Sequence, residues 1–177
     1  MADPEHLTPQ QDRTWSLLVG VMMWLPAELD AYLERTAGIS HAEYQVLRWL
    51  SLSEDREVHM SRLAATASVT PSHLSRIVGR LEKRQWITRS SDPHDARRTL
   101  ARLTEAGAQM VQRTEPGYAR EVHRHVFARL DPREAEQLED VTEAILTPLR
   151  EDCVQLLPAR TPRSHQGEEA RRAGSSS

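Results

Sequence analysis

The sequence predicts a mainly α-helical fold in which one short β-hairpin interrupts a succession of helices. Three observations carry that expectation. Capping residues followed by apolar side chains at three- and four-residue steps recur along the chain. Segments 86–89 and 99–103 have strand character and flank a polar turn. The composition, 38% hydrophobic and 28% charged over 177 residues, is that of a globular chain long enough to bury a core.

Thr8 is placed to cap the first helix, with Pro9 at its first position and Gln11 completing a capping box. Trp15, Leu18, Met22, Leu25, Leu29 and Tyr32 form one apolar stripe, and Leu17, Val21 and Trp24 a second. A helix apolar on so much of its surface needs more than one partner. Pro26 is expected to kink it and Gly38 to stop it. Ser40 and Glu43 make a second capping box, which opens a helix through Leu47 and Leu50 to about residue 52. Residues 53–57 read as a loop and Val58 as a brief strand.

A short helix over about 60–67 buries Leu63 and Ala64, and Ser68-Val69 make a tight connection. Thr70-Pro71 then start another helix. Leu74, Ile77, Val78 and Leu81 form its inner face, which leaves Ser72, His73, Ser75, Arg76, Gly79, Arg80 and Lys83 outside. After the hairpin, Thr104 caps a long helix to about residue 129, with a bend expected at Pro116-Gly117. Asp131-Pro132-Arg133-Glu134 start a last helix carrying Leu138, Val141, Ile145 and Leu149. Residues 158–177 lack periodicity and are expected to form a disordered tail.

Two short helices joined by a tight turn and followed by a hairpin make a winged helix-turn-helix with a two-stranded wing. That geometry lets the second helix enter a major groove about 12 Å wide. Charge agrees. The net charge is −3, yet residues 59–103 carry nine Lys/Arg against Glu82, Asp92 and Asp95, a local +6 beside −9 elsewhere. A basic module in an acidic scaffold is the footprint of a polyanion partner. Thr70, Ser72, His73, Ser75 and Arg76 lie at the start of the second helix, where base edges are met, and Arg76 can address guanine in bidentate fashion. Arg80 and Lys83 lie further along, at positions suited to phosphates.

The run Asp92-Pro93-His94-Asp95-Ala96-Arg97-Arg98, with Leu100-Ala101-Arg102-Leu103-Thr104 after it, closely resembles the wing signature of the MarR (multiple antibiotic resistance regulator) family. Leu63-Ala64, the helix over 72–81 and Leu81-Glu82-Lys83 also match its pattern, so the resemblance spans about residues 10–150. It implies a homodimer with intertwined first, fifth and sixth helices and two winged modules on a palindromic operator in double-stranded DNA. The division expected is a dimerisation helix over 1–38, the DNA-binding module over 39–104, and dimerisation helices over 105–157. In such proteins a wing arginine enters the minor groove and a nearby Asp orients it. Those roles fall on Arg97, beside Arg98, and on Asp95. Two positions depart from the pattern: Gln85 replaces the usual glycine after the second helix, and His59 replaces a hydroxyl cap.

Other chemistry finds little support. His123 and His125 stand two apart, about 200° around a helix, and so cannot share a ligand face; His41 and Glu43 have the same spacing. No nucleophile–base pattern, P-loop or dinucleotide fingerprint occurs, so neither an enzyme nor a cofactor or metal is expected. Cys153 stands alone, which excludes an internal disulfide, and reads as an incidental small apolar residue. The apolar run over 17–25 is too short to cross a bilayer and no secretory pattern precedes it, so the cytoplasm is the expected location. Trp86 reads as core. Trp15, Trp24 and Trp49 lie near where the family places an effector pocket, which would suit a phenolic or aromatic small molecule; ordinary core packing is the competing reading. The function expected is that of a ligand-responsive homodimeric repressor. The alternative is a winged-helix protein-interaction module without DNA binding.

Overall fold

The computed structural model of the chain describes residues 6–154. The tail expected over 158–177 and the side chain of Cys153 lie outside the described residues. Helix α1 (Pro9–Ala37) begins with the reciprocal Thr8–Gln11 capping box and ends at Gly38, whose φ of 65° is the left-handed stop that glycine tolerates. Helix α2 (His41–Leu52) begins with a second reciprocal box, between Ser40 and Glu43. A single 3-10 turn, Glu54–Arg56, leads into strand β1 (Glu57–His59). Helix α3 (Met60–Thr66) follows without a side-chain cap from His59, and α4 (Pro71–Lys83) is capped by the Thr70 hydroxyl, which accepts from the His73 N–H at 3.2 Å. Strands β2 (Ile87–Ser91) and β3 (Thr99–Leu103) form the wing hairpin.

The wing is two-stranded as expected, but β1 pairs with the far side of β3, giving a three-stranded antiparallel sheet in the order β1-β3-β2. That third strand is three residues long and is the brief strand expected at Val58, while its partner is not legible locally.

Both connections flanking α4 use left-handed residues that are not glycine. Ser68 has φ 52° in the turn after α3, and Gln85 has φ 61° after α4. At Gln85 the cap closes anyway: the Gln85 N–H donates to Glu82 O at 2.8 Å and the Trp86 N–H to Leu81 O at 3.0 Å, the paired bonds of a Schellman motif. The departure from glycine thus leaves the turn geometry intact and costs only local strain.

Helix α5 (Glu105–Val122) starts against this same turn. The Thr104 hydroxyl donates to Gln85 O at 2.7 Å and accepts from the Gly107 N–H at 3.1 Å. A Cβ at Gly107 would stand 2.2 Å from the Trp86 carbonyl oxygen, so no larger residue fits this approach. Helix α5 runs through Pro116, and its irregularity comes later than expected, as the π-helical turn His123–Phe127. Helix α6 (Pro132–Val154) opens with reciprocal Asp131–Glu134 bonds and leaves helical geometry at Arg150.

One core joins these elements. Leu33 and Ile39, then Tyr44, Leu47 and Leu50 of α2, Leu63 of α3, the α4 face and Ile87, Ala101 and Leu103 of the sheet are buried together, with Met110 and Val111 of α5 closing it. Helix α1 enters this core only through its C-terminal half, at Leu29 and Leu33. Trp15, Leu17, Val21, Met22, Met23 and Trp24 remain exposed, as do Leu138, Val141, Ile145 and Leu149 of α6. By length and composition α1 is apolar enough to cross a membrane. This differs from the expectation, because Pro26 and Glu28 interrupt the run but barely alter its average. Its burial of Leu29 and Leu33 ties it to the domain, since leaving would strip both from the core.

Replacing Gln85 by Gly should relieve the left-handed strain and stabilise the chain by about 0.5–1 kcal/mol, the gain being trimmed by glycine's larger unfolded-state entropy. Denaturant unfolding of the two proteins measures it, and a less stable Gly variant would show that Gln85 makes a compensating contact.

Candidate nucleic-acid interface

The outward surface of α4 is fixed by its inward one. Leu74, Ile77, Val78 and Leu81 are fully buried, so Ser72, His73, Ser75 and Arg76 are exposed near the helix N-terminus. Thr70 sits at the cap, its hydroxyl also 3.3 Å from that of Ser72. This end presents backbone N–H groups and the positive end of the helix dipole, the polarity that favours a phosphate.

The wing turn is built from two Asx turns in series. Asp92 Oδ1 accepts from the His94 N–H at 2.8 Å, and Asp95 Oδ1 accepts from the Arg97 N–H at 3.1 Å. The His94 N–H holds the Asp92 carboxyl below its usual range, and His59 Nε2 lies 3.5 Å from Asp92 Oδ2. Asp95 divides its carboxylate: Oδ2 is 3.3 Å from Arg98 Nε, and Oδ1 is 3.7 Å from Arg97 Nε. The expected orienting contact therefore falls more closely on Arg98 and on the Arg97 backbone than on the Arg97 guanidinium. Arg97 is left 96% exposed at the tip.

The basic surface is narrower than the count of cations implied. Arg80 pairs with Glu43 at 2.6 Å, Arg89 with Glu82 at 2.5 Å, and Arg102 with Glu57 at 2.7 Å. Glu43 and Glu57 lie before residue 59, outside the window that gave +6, and no pattern in the sequence links them to their partners. Among the described residues, Arg62, Arg76 and Lys83 are in no ion pair, and Arg84 lies over the Trp86 ring at 5.1 Å. Trp86 is accordingly half-buried under a cation. Arg80, expected at a phosphate, pairs here with a buried carboxylate while half its side chain stays exposed.

Glu43 is only 5% exposed. Burial by itself would raise its carboxyl. The Arg80 hydrogen bond, the Ser40 N–H and the charges of Arg80 and Arg84 outweigh burial and hold it below the ordinary range.

The remaining polar groups cluster where α1, α2 and α5 meet. His41 Nε2 lies 3.2 Å from the Tyr118 hydroxyl and 2.9 Å from Gln45 Nε2, and the His41 backbone N–H donates to Asp30 at 2.6 Å. Burial lowers the His41 pKa, partly opposed by Asp30. The Tyr44 hydroxyl is buried without a partner, and burial, helped by Glu115, pushes it up to about 12. Among the described residues no three metal-ligating side chains come together. Trp15 and Trp24 are 52% and 70% exposed on the free face of α1, while Trp49 is half-buried beside the core and lines a cleft with Val58, His59 and Arg62. A separate cleft of about 420 Å³ opens between α1 and α5, lined by Tyr32, Thr36, Met110, Arg113 and Arg120 among others.

A depressed Glu43 carboxyl contributes stability that is complete above its ordinary value of about 4.5 and is lost as pH falls through its lower folded value. Glu43→Gln should therefore flatten the acid limb of the stability–pH curve relative to wild type. Denaturant unfolding between pH 7 and 3 checks this; parallel curves would mean that the pair contributes nothing.

Comparison with known proteins places this geometry. A MarR family profile matches residues 37–98. The chain is 28% identical over 115 residues to the transcriptional repressor MprA of Escherichia coli K12, a match covering 65% of each chain. The chain thus spans slightly under two thirds of that curated relative. Among solved structures it resembles a MarR family transcriptional regulator from Streptomyces coelicolor, crystallised in complex with DNA. The TM-score is 0.77 at 34% identity, over 85% of this chain and 94% of that one. The MarR family regulator AbsC of the same organism gives a TM-score of 0.74 at 28% identity, over 82% and 98% of the two chains.

Proposed function

Because the chain belongs to the MarR family, we propose that it is a sequence-specific DNA-binding transcriptional regulator that acts as a homodimeric repressor on a palindromic operator. The observation that carries this reading is α4: one face wholly buried, the other presenting Ser72, Ser75 and an unpaired Arg76 beside the helix N-terminus. The solved relative in complex with DNA supports it. In this reading α4 enters the major groove with Thr70, Ser72, His73, Ser75 and Arg76, and Arg97 and Arg98 of the wing reach the adjacent minor groove. Residues 39–104 form the DNA-binding module.

The exposed apolar faces of α1 and α6 supply the dimer. Trp15, Leu17, Val21 and Trp24 on α1 and Val141, Ile145 and Leu149 on α6 all face water in the single chain, and a second copy covers them by two-fold symmetry. Residues 1–38 and 105–157 are then the dimerisation elements. A phenolic or aromatic effector fits the α1–α5 cleft, where Tyr32 offers a ring and Arg113 and Arg120 offer charge. Its effect on DNA binding would equal its differential affinity for the two dimer spacings. In this reading the protein works in the cytoplasm.

A duplex selected from a random pool, titrated at several salt concentrations, tests the reading. Arg76→Ala should weaken the selected duplex by about 1–3 kcal/mol and relax preference at one base pair per half-site. Binding with no salt-dependent preference for any duplex would leave the protein-interaction alternative in its place.

The wing gives a sharper contrast. Arg97→Ala should flatten the log-affinity against log-salt slope by about 0.9 for the phosphate-equivalent charge lost. Asp95→Ala removes a negative charge, so electrostatics alone predicts tighter binding. Loss of the carboxylate that organises the turn predicts weaker binding, and weaker is the expected result on the same duplex. Tighter binding would reduce Arg97 to one more solvated cation.

A further inference from the structure

Among the described residues, Glu43 is the one charged side chain withdrawn from water, and it joins two elements at once. Its Oε2 accepts from the Ser40 N–H at 3.0 Å, which closes the N-terminus of its own helix α2. Its Oε1 accepts from Arg80 Nε of α4 at 2.6 Å. One residue along, the His41 N–H at the same helix end donates to Asp30 of α1 at 2.6 Å. Helices α1, α2 and α4 therefore meet at a single helix terminus through two carboxylates.

A carboxylate this far from water is costly when unpaired, so an Arg80 that swung away to a phosphate would leave a buried charge behind it. An exposed cation such as Arg76 faces no such cost. Ser72, Arg76 and Arg80 are spaced by four and share one stripe of α4. Fixing Arg80 at the inner end of that stripe fixes the rotation of the helix about its axis, and with it the direction in which Ser72 and Arg76 point. The apolar face alone sets that rotation less sharply, because Leu, Ile and Val contacts are not directional.

We propose that Arg80 is a positioning residue: its ion pair with Glu43 sets the pose of α4 for base recognition, and Arg80 itself carries no phosphate. This rests on the DNA-binding reading above. About half of the Arg80 side chain stays exposed, so the test must separate positioning from direct contact.

The chain is compared with Glu43→Gln, Arg80→Gln and the double variant. The probes are the selected duplex and a scrambled duplex of equal length, each titrated at several salt concentrations. Gln at position 43 can still accept from the Ser40 N–H, so the capping box survives and only the charge is lost. Each single variant should bind the selected duplex about tenfold more weakly, and the double no more weakly than the worse single, as two members of one coupled pair do. Binding to the scrambled duplex and the salt slope should stay at wild-type values. A phosphate contact gives the opposite pattern: Glu43→Gln binds as well as wild type or better, Arg80→Gln weakens both duplexes alike, and its slope flattens by about 0.9. That result overturns the proposal. If Glu43→Gln does not fold, Arg80→Gln decides alone, through its slope and its ratio of selected to scrambled binding. A wild-type chain with no duplex preference would defeat the DNA-binding reading, and the positioning role would fall with it.

Discussion

Leu74, Ile77, Val78 and Leu81 are wholly withdrawn from water, and that burial limits which residues of α4 can face outward. Each such side chain is worth about 1.5–3 kcal/mol of burial, against a net 0.5–1.5 kcal/mol for an ordinary surface hydrogen bond. A rotation large enough to hide Ser72 and Arg76 would expose two or more of the four, and no polar contact on the opposite face could offset it. The outer face is thus a consequence of the inner one. What burial leaves loose is the fine angle, and there the directional Arg80–Glu43 bond has its effect.

The same constraint extends to the wing. Helix α4 ends in a left-handed turn at Gln85, and the start of α5 is fastened to that turn through Thr104 and the close approach of Gly107 to the Trp86 carbonyl. Ile87 and Leu103, opposite each other in the sheet, are both buried, so the base of the hairpin is anchored in the core while its tip is not. The tip takes its shape locally, from the Asx turns of Asp92 and Asp95. A rigid base with a locally ordered, cation-bearing tip suits a groove contact that adapts to the duplex.

Much of this was legible in the sequence because it depends on near neighbours. Thr8, Ser40, Thr70, Thr104 and Asp131 all cap helices within three residues of themselves, and the buried face of α4 follows from spacing alone. The parts that were not legible are tertiary. Arg80 and Glu43 are separated by 37 residues, and nothing local marks them as partners. The brief strand at Val58 follows from the sequence, but its pairing with the edge of β3 does not. The π-helical turn after α5 has no proline or glycine inside it to announce it. Trp15 and Trp24 stand on a bare helix face of the single chain while Trp49 lines a cleft, and periodicity alone cannot tell a pocket wall from a subunit contact.

That bare face, continued in spirit by Val141, Ile145 and Leu149 of α6, is where the single chain is incomplete, and a second copy would set the distance between two copies of α4. Hydroxyl-radical footprinting on a duplex selected by the protein tests the whole account most directly. The account predicts a two-fold symmetric pattern: two half-sites about one helical turn or a whole multiple apart, each with backbone protection beside the recognition helix flanked by minor-groove protection from the wing. A single unsymmetrical half-site, or protection unaffected by loss of Arg76 and Arg97, would contradict it.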